Sequence, residues 1–108
     1  MSVVITQGPQ DVTVYEGQSA SFPCLYTGVN AAPLWYINGV QYIIQGPRRG
    51  LPPRHTYFDD IMTVSDVQIA DSGQTYRCAF SEITSGTAVL TVLPAVQGTG
   101  TRAWELQL

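Results

Sequence analysis

Cys24 and Cys78 are the only two thiols in a chain of 108 residues, and each sits within a run that repeats every second residue. Ala20, Phe22 and Cys24 form one such run; Tyr76, Cys78 and Phe80 form the other. A period of two is the signature of an extended strand with one face turned inward. A zinc site needs about four nitrogen or sulfur ligands, and the chain offers two thiols and one imidazole, so no metal is expected. A redox-active pair would prefer close spacing. Two inward cysteines 54 residues apart on strands of different sheets read instead as one inter-sheet disulfide. Closing a loop of that length restricts the unfolded chain by roughly 4 kcal/mol.

The rest of the chain alternates in the same way. Val12 and Val14 share one face of an extended segment, Glu16-Gly17-Gln18 supplies a turn, and Leu34-Trp35-Tyr36-Ile37 leads into Asn38-Gly39. That dipeptide is a strong signal for a two-residue hairpin, with Val40 to Ile44 as the returning strand. Gln45 to Pro53 is rich in Gly, Pro and Arg and reads as a surface loop. Alternation resumes at Met62, Val64 and Val67; Thr75 to Glu82 and Thr87 to Leu93 are the last strands, with Ile83 to Gly86 as a short connection. Seven or eight short strands without a useful helix predict an all-β sandwich of two packed antiparallel sheets. Residues 1–94 are expected to form this domain, and residues 95–108 a flexible linker or tail. The alternating Trp104, Leu106 and Leu108 give that tail a second reading, as an extra strand on an exposed edge.

Charge narrows the partners. The chain has five arginines, no lysine, eight carboxylates and a net charge of −3. Nucleic acid and anionic lipid surfaces require a basic footprint that is absent here. No apolar run is long enough to span a bilayer.

The spacing of particular residues carries a resemblance. Cys24, Trp35 eleven residues later, and Asp71-Ser72-Gly73 leading to Tyr76-Arg77-Cys78 together resemble the immunoglobulin superfamily. In that family a buried tryptophan packs on the disulfide, and a tyrosine two residues before the second cysteine forms the tyrosine corner. Trp35 and Tyr76 stand at those positions, as structural core residues. Pro9 to Val14, Glu16-Gly17 and Trp35 to Gly39 resemble the intermediate (I) set. The last strand lacks the Phe-Gly-x-Gly motif of antigen-receptor variable domains, and the span from Trp35 to Cys78 is short for two further edge strands. The resemblance therefore implies a Greek-key sandwich of the I-set or a trimmed variable-like (V-set) type. The family would also pair Asp71 with Arg54, although Asp71 lies one residue farther from Tyr76 than the usual pattern.

Catalytic chemistry finds no support. His55 is the only histidine and is expected as a solvated side chain beside Arg54. Both cysteines are consumed, and Asp59-Asp60 and Asp66 match neither a calcium loop nor a paired-carboxylate site. No catalytic residue, cofactor or small-molecule substrate is expected.

Binding is the alternative. With Trp35, Ile37, Tyr76, Cys78 and Leu90 facing inward, alternation turns Leu34, Tyr36, Asn38, Arg77, Ala79 and Val89 outward, with Tyr42 or Ile44 to complete the surface. Aromatic, aliphatic and arginine side chains are the types favoured at interface centres, and a sheet facing water is ordinarily more polar. The loops Thr27–Ala32 and Glu82–Gly86 form a second candidate at one end. The resemblance implies an extracellular module of a cell-surface adhesion or receptor protein, part of a larger secreted or single-pass membrane chain. Its partner would be another protein, a second copy of this chain included, and its contact with a membrane only through an anchor outside this sequence. The disulfide suits an oxidising compartment. The rival readings are an intracellular structural module of a giant muscle-type protein and an immune-type recognition domain.

Overall fold

The computed structural model describes residues 2–44 and 50–95. In chain order its strands are β1 (Val4–Gln7), β2 (Val12–Tyr15), β3 (Ala20–Pro23), β4 (Leu25–Thr27), β5 (Leu34–Ile37) and β6 (Val40–Ile43). They continue as β7 (His55–Phe58), β8 (Ile61–Val64), β9 (Thr75–Phe80), β10 (Ile83–Thr84) and β11 (Ala88–Leu93). The larger sheet has the order β2-β11-β9-β5-β6, with β10 also beside β9. The opposite layer is β3-β8-β7, and β4, which follows β3 across Cys24, pairs with β1. The expected all-β sandwich is confirmed, as is the disulfide: Cys24 and Cys78 are bonded across the layers with Cα atoms 6.4 Å apart.

The core sits where the two alternating faces meet. Phe22, Cys24, Met62 and Val64 come from one layer, and Trp35, Tyr76, Cys78 and Leu90 from the other; all are fully buried. The rings of Phe22 and Tyr76 stack at 4.1 Å across the interface. At about 25 cal/mol per Å2 of apolar surface, this burial is the main force holding the layers together.

Three details depart from the sequence reading. β2 pairs with β11 in parallel, so the larger sheet is mixed rather than purely antiparallel. The chain reaches this pairing because it leaves the β1–β4 pair at Gly8-Pro9 and crosses to the other layer. Second, the expected connection Ile83–Gly86 begins with a strand. Ile83 pairs with Phe80 and Thr84 with Ala79, whereas Ala88 pairs with Tyr76. One more residue lies on this side than on β9, which is a β-bulge. Ser85 closes it, donating its amide to Cys78 O at 2.9 Å and accepting the Cys78 amide on Oγ at 3.1 Å. Third, a single 3-10 turn, Ile69–Asp71, precedes β9. The loop expected over Gln45–Pro53 is described only from Gly50 onward, and the tail beyond Ala95, with Trp104, lies outside the described residues.

Candidate protein-interaction face

The Asn38-Gly39 turn sets this face. Both residues have positive φ, 55° and 81°, the pairing that matches hairpin twist. Asn38 suits the position because its side chain is put to use there. Its Oδ1 accepts the Thr75 amide at 3.0 Å and its Nδ2 donates to Gln74 Oε1 at 3.2 Å, pinning the turn to the start of β9. A two-residue loop leaves one register: Ile37 opposite Val40, Tyr36 opposite Gln41, Trp35 opposite Tyr42, Leu34 opposite Ile43. On the other side of β5, Tyr36 lies opposite Arg77 and Trp35 opposite Cys78. Opposite residues share a face, so Leu34, Tyr36 and Arg77 point away from the core as the alternation predicts.

These side chains form a preorganised group. The Arg77 guanidinium lies over the Tyr36 ring, 4.0 Å from its centroid, a favourable cation–π geometry. Arg77 Nη1 also donates to Thr84 Oγ1 at 2.7 Å, and the Tyr36 hydroxyl donates to Gln41 Oε1 at 3.1 Å. Both side chains are thus held in one conformation, which reduces the entropy lost when a partner covers them. Farther out on the same face, Val89 is 37% exposed, its amide anchored to Asp11 Oδ1 at 2.8 Å.

Of the residues expected on this surface, Leu34, Tyr36, Arg77 and Val89 are brought together. Asn38 is exposed at the rim with its amide already engaged. Tyr42 does not belong to the outer face: it lies opposite Trp35 and packs against the core. Ala79 points outward but is only 7% exposed, lying opposite both Leu34 and Thr84. The reading missed Gln41 and Ile43, which the hairpin places beside Tyr36 and Leu34. Counting outward from the two-residue turn would have found both. Ile43 is 57% exposed, and Leu93 and Tyr15 extend the apolar character to the far edge.

Chemistry of another kind gathers under the β7–β9 end. The expectation of a solvated His55 is corrected: the ring is half-buried, stacked on Tyr76 at 5.7 Å. Its Nδ1 lies 2.9 Å from Pro53 O and its Nε2 2.6 Å from the Tyr76 hydroxyl. Because a carbonyl only accepts, Nδ1 carries the proton and Tyr76 donates to Nε2. Gln74 Nε2 in turn donates to Tyr76 at 2.8 Å. The Tyr76 hydroxyl therefore bonds to side chains, where the family's tyrosine corner would reach backbone. Burial pushes the Tyr76 pKa up to about 12 and, as the first cause, lowers that of His55. With both nitrogens engaged, the imidazole is in no position to act as a base toward a substrate. The adjacent Arg54–Asp71 ion pair forms, with contacts of 3.0 and 3.3 Å. A cleft of about 730 Å3 between β1 and β10 is lined by Val4, Ile5, Ile83 and Thr87 among others, with Asp11 its only ionisable side chain.

Two packed sheets tied by one disulfide, with a buried tryptophan between the cysteines in sequence, define a sandwich of immunoglobulin type. Residues 10–91 match the immunoglobulin domain family, and the chain belongs to that family. Solved structures with the same fold include D1 of Duf (Kirre), with TM-score 0.69, 22% identity, and 87% of this chain and 99% of that one covered. Domain I10 of titin gives TM-score 0.68 at 22% identity, covering 86% of this chain and all of that one. The N-terminal two-domain module of the Drosophila receptor protein tyrosine phosphatase DLAR gives 0.69 at 22% identity, covering 88% of this chain. The chain spans about half of that two-domain structure, 50% of its length. At these identities the likeness concerns the fold.

Proposed function

We propose that this domain is an extracellular recognition module of a cell-surface adhesion or receptor protein, binding another protein through the outer face of the larger sheet. The observation that carries the reading is the Arg77–Tyr36 stack, held rigid by Thr84 and Gln41 among Leu34, Ile43 and Val89. Such a centre offers directed hydrogen bonds from the free guanidinium edge and apolar area that costs little to order. The disulfide favours an oxidising environment over the cytoplasm. Residues 1–94 act as the folded unit in this reading, and 95–108 as a linker.

The test is adhesion of the purified chain, displayed on beads, to itself and to cells. Tyr36→Ala and Arg77→Glu should each reduce adhesion at least tenfold while thermal unfolding stays unchanged. Adhesion that survives both substitutions places the contact elsewhere on the domain.

A further inference from the structure

Beyond the face lies an unguarded edge. Among the described residues, β6 pairs with β5 on one side only. In a hairpin closed by a two-residue turn, Val40 and Tyr42 direct their backbone groups to β5, so those of Gln41 and Ile43 point away from the sheet. Neither amide has a hydrogen-bond partner among the described residues. Three other edge strands carry the usual protections against pairing. β7 is framed by Pro52-Pro53 and Asp59-Asp60, β2 by Asp11 and Glu16, and β10 is two residues long beside Glu82. β6 has none of these. The whole hairpin from Leu34 to Ile44 lacks a charge, and Val40 and Ile43 are 54% and 57% exposed.

We propose that β6 is a self-association edge, pairing antiparallel with β6 of a second copy so that the larger sheets of two domains become continuous. The register follows from parity. Centring the two-fold axis on Tyr42 sets Gln41 opposite Ile43 of the second copy, and the reverse, so every outward backbone group meets a complementary one. Slipping by one residue would face outward groups with groups already engaged by β5. The same two-fold brings Ile43 against Gln41 of the other copy and close to its Tyr36, covering the most exposed aliphatic side chain of the larger sheet. A second copy is the occupant the chemistry favours because no charge on either hairpin meets its like. An acidic or basic strand would gain nothing from this neutral edge. The contact is small, which puts it among weak, reversible associations rather than obligate dimers.

Sedimentation of the full chain over a wide concentration range, combined with residue-resolved amide exchange, tests this. The expected result is a reversible dimer in which the Gln41 and Ile43 amides become protected as concentration rises. Gln41→Pro removes one outward N–H at an edge position where proline is tolerated, and should weaken the dimer at least tenfold. Gln41→Ala, which keeps the N–H and loses only the side chain, should weaken it far less than Gln41→Pro does. If the proline variant fails to fold, the double variant Gln41→Lys/Ile43→Lys, altering only exposed positions, should give the same loss through like-charge repulsion. A chain that stays monomeric, or a dimer whose protected amides lie outside β6, would overturn the proposal. A dimer abolished by Arg77→Glu but untouched by Gln41→Pro would assign self-association to the face instead, and an edge dimer whose bead adhesion ignores Tyr36→Ala would leave the edge standing without the face.

Discussion

The imidazole Nε2 of His55 lies 2.6 Å from the hydroxyl of Tyr76, which joins the smaller layer to the buried centre of the larger one. The bond has a direction, because Nδ1 is committed as donor to Pro53. Protonating Nε2 would set two donors, His55 and Gln74, on the Tyr76 oxygen and leave the buried phenolic proton without its acceptor. A buried unsatisfied polar group costs about 1–3 kcal/mol.

The domain should therefore lose stability in mild acid. His55 has a folded-state pKa below its ordinary 6.5, by burial first and by Arg54 next, so the unfolded chain binds the proton more readily. Stability is complete above about pH 6.5 and declines as pH falls through the lowered folded value. Thermal unfolding across pH 8 to pH 5 should show this decline, and His55→Gln should remove it. An unaltered decline in that variant would locate the titrating group elsewhere.

Asp71 governs a lower window. The Arg54 hydrogen bonds hold its carboxyl below the usual 3.8, and the Gln68 amide adds a contact of 2.8 Å. Its contribution is present above about pH 4 and lost as pH falls through the depressed value. Asp71→Asn should lower the melting temperature at neutral pH and flatten the acid limb below pH 4. Both effects are measurable by circular dichroism.

The indole under the disulfide dominates packing. Trp35→Ala should destabilise by about 3–5 kcal/mol, and the loss should exceed that of Trp35→Phe. The Trp35 N–H is buried without a hydrogen bond of ordinary length, so phenylalanine forfeits area but no full bond. Chemical denaturation of the three proteins gives the ordering directly.

Gly28 lies against the backbone of Ser2 and Val3. It has φ +94°, and a Cβ there would run into the Ser2 carbonyl. Gly28→Ala should cost at least about 1 kcal/mol, seen as a lower denaturation midpoint with an unchanged slope. A neutral substitution would mean that the Ser2 segment yields and the backbone at residue 28 leaves its positive φ, both without cost.

Much of this was legible in the residues. Alternation through Phe22-Cys24 and Tyr76-Cys78, with Trp35 between them, identified the inner face, because burial in a strand has a strict period of two. Tyr42 was assigned to the wrong face since sequence alternation after Gly39 depends on how many residues the turn consumes. β10 stayed hidden because a bulge at Ser85–Thr87 breaks the period. His55 and the β2–β11 pairing were out of reach for another reason. Each depends on a contact made from a distant part of the chain, Tyr76 in one case and Leu90–Leu93 in the other, and no local pattern records it.

The bonded state of Cys24 and Cys78 in the native setting decides whether this is an extracellular recognition module. Thiols should be trapped by alkylation at the moment the protein is released from its natural source, then counted by mass. The account predicts that neither cysteine is alkylated without prior reduction. Two alkylated cysteines on natively folded protein would contradict it and return the domain to the cytoplasm.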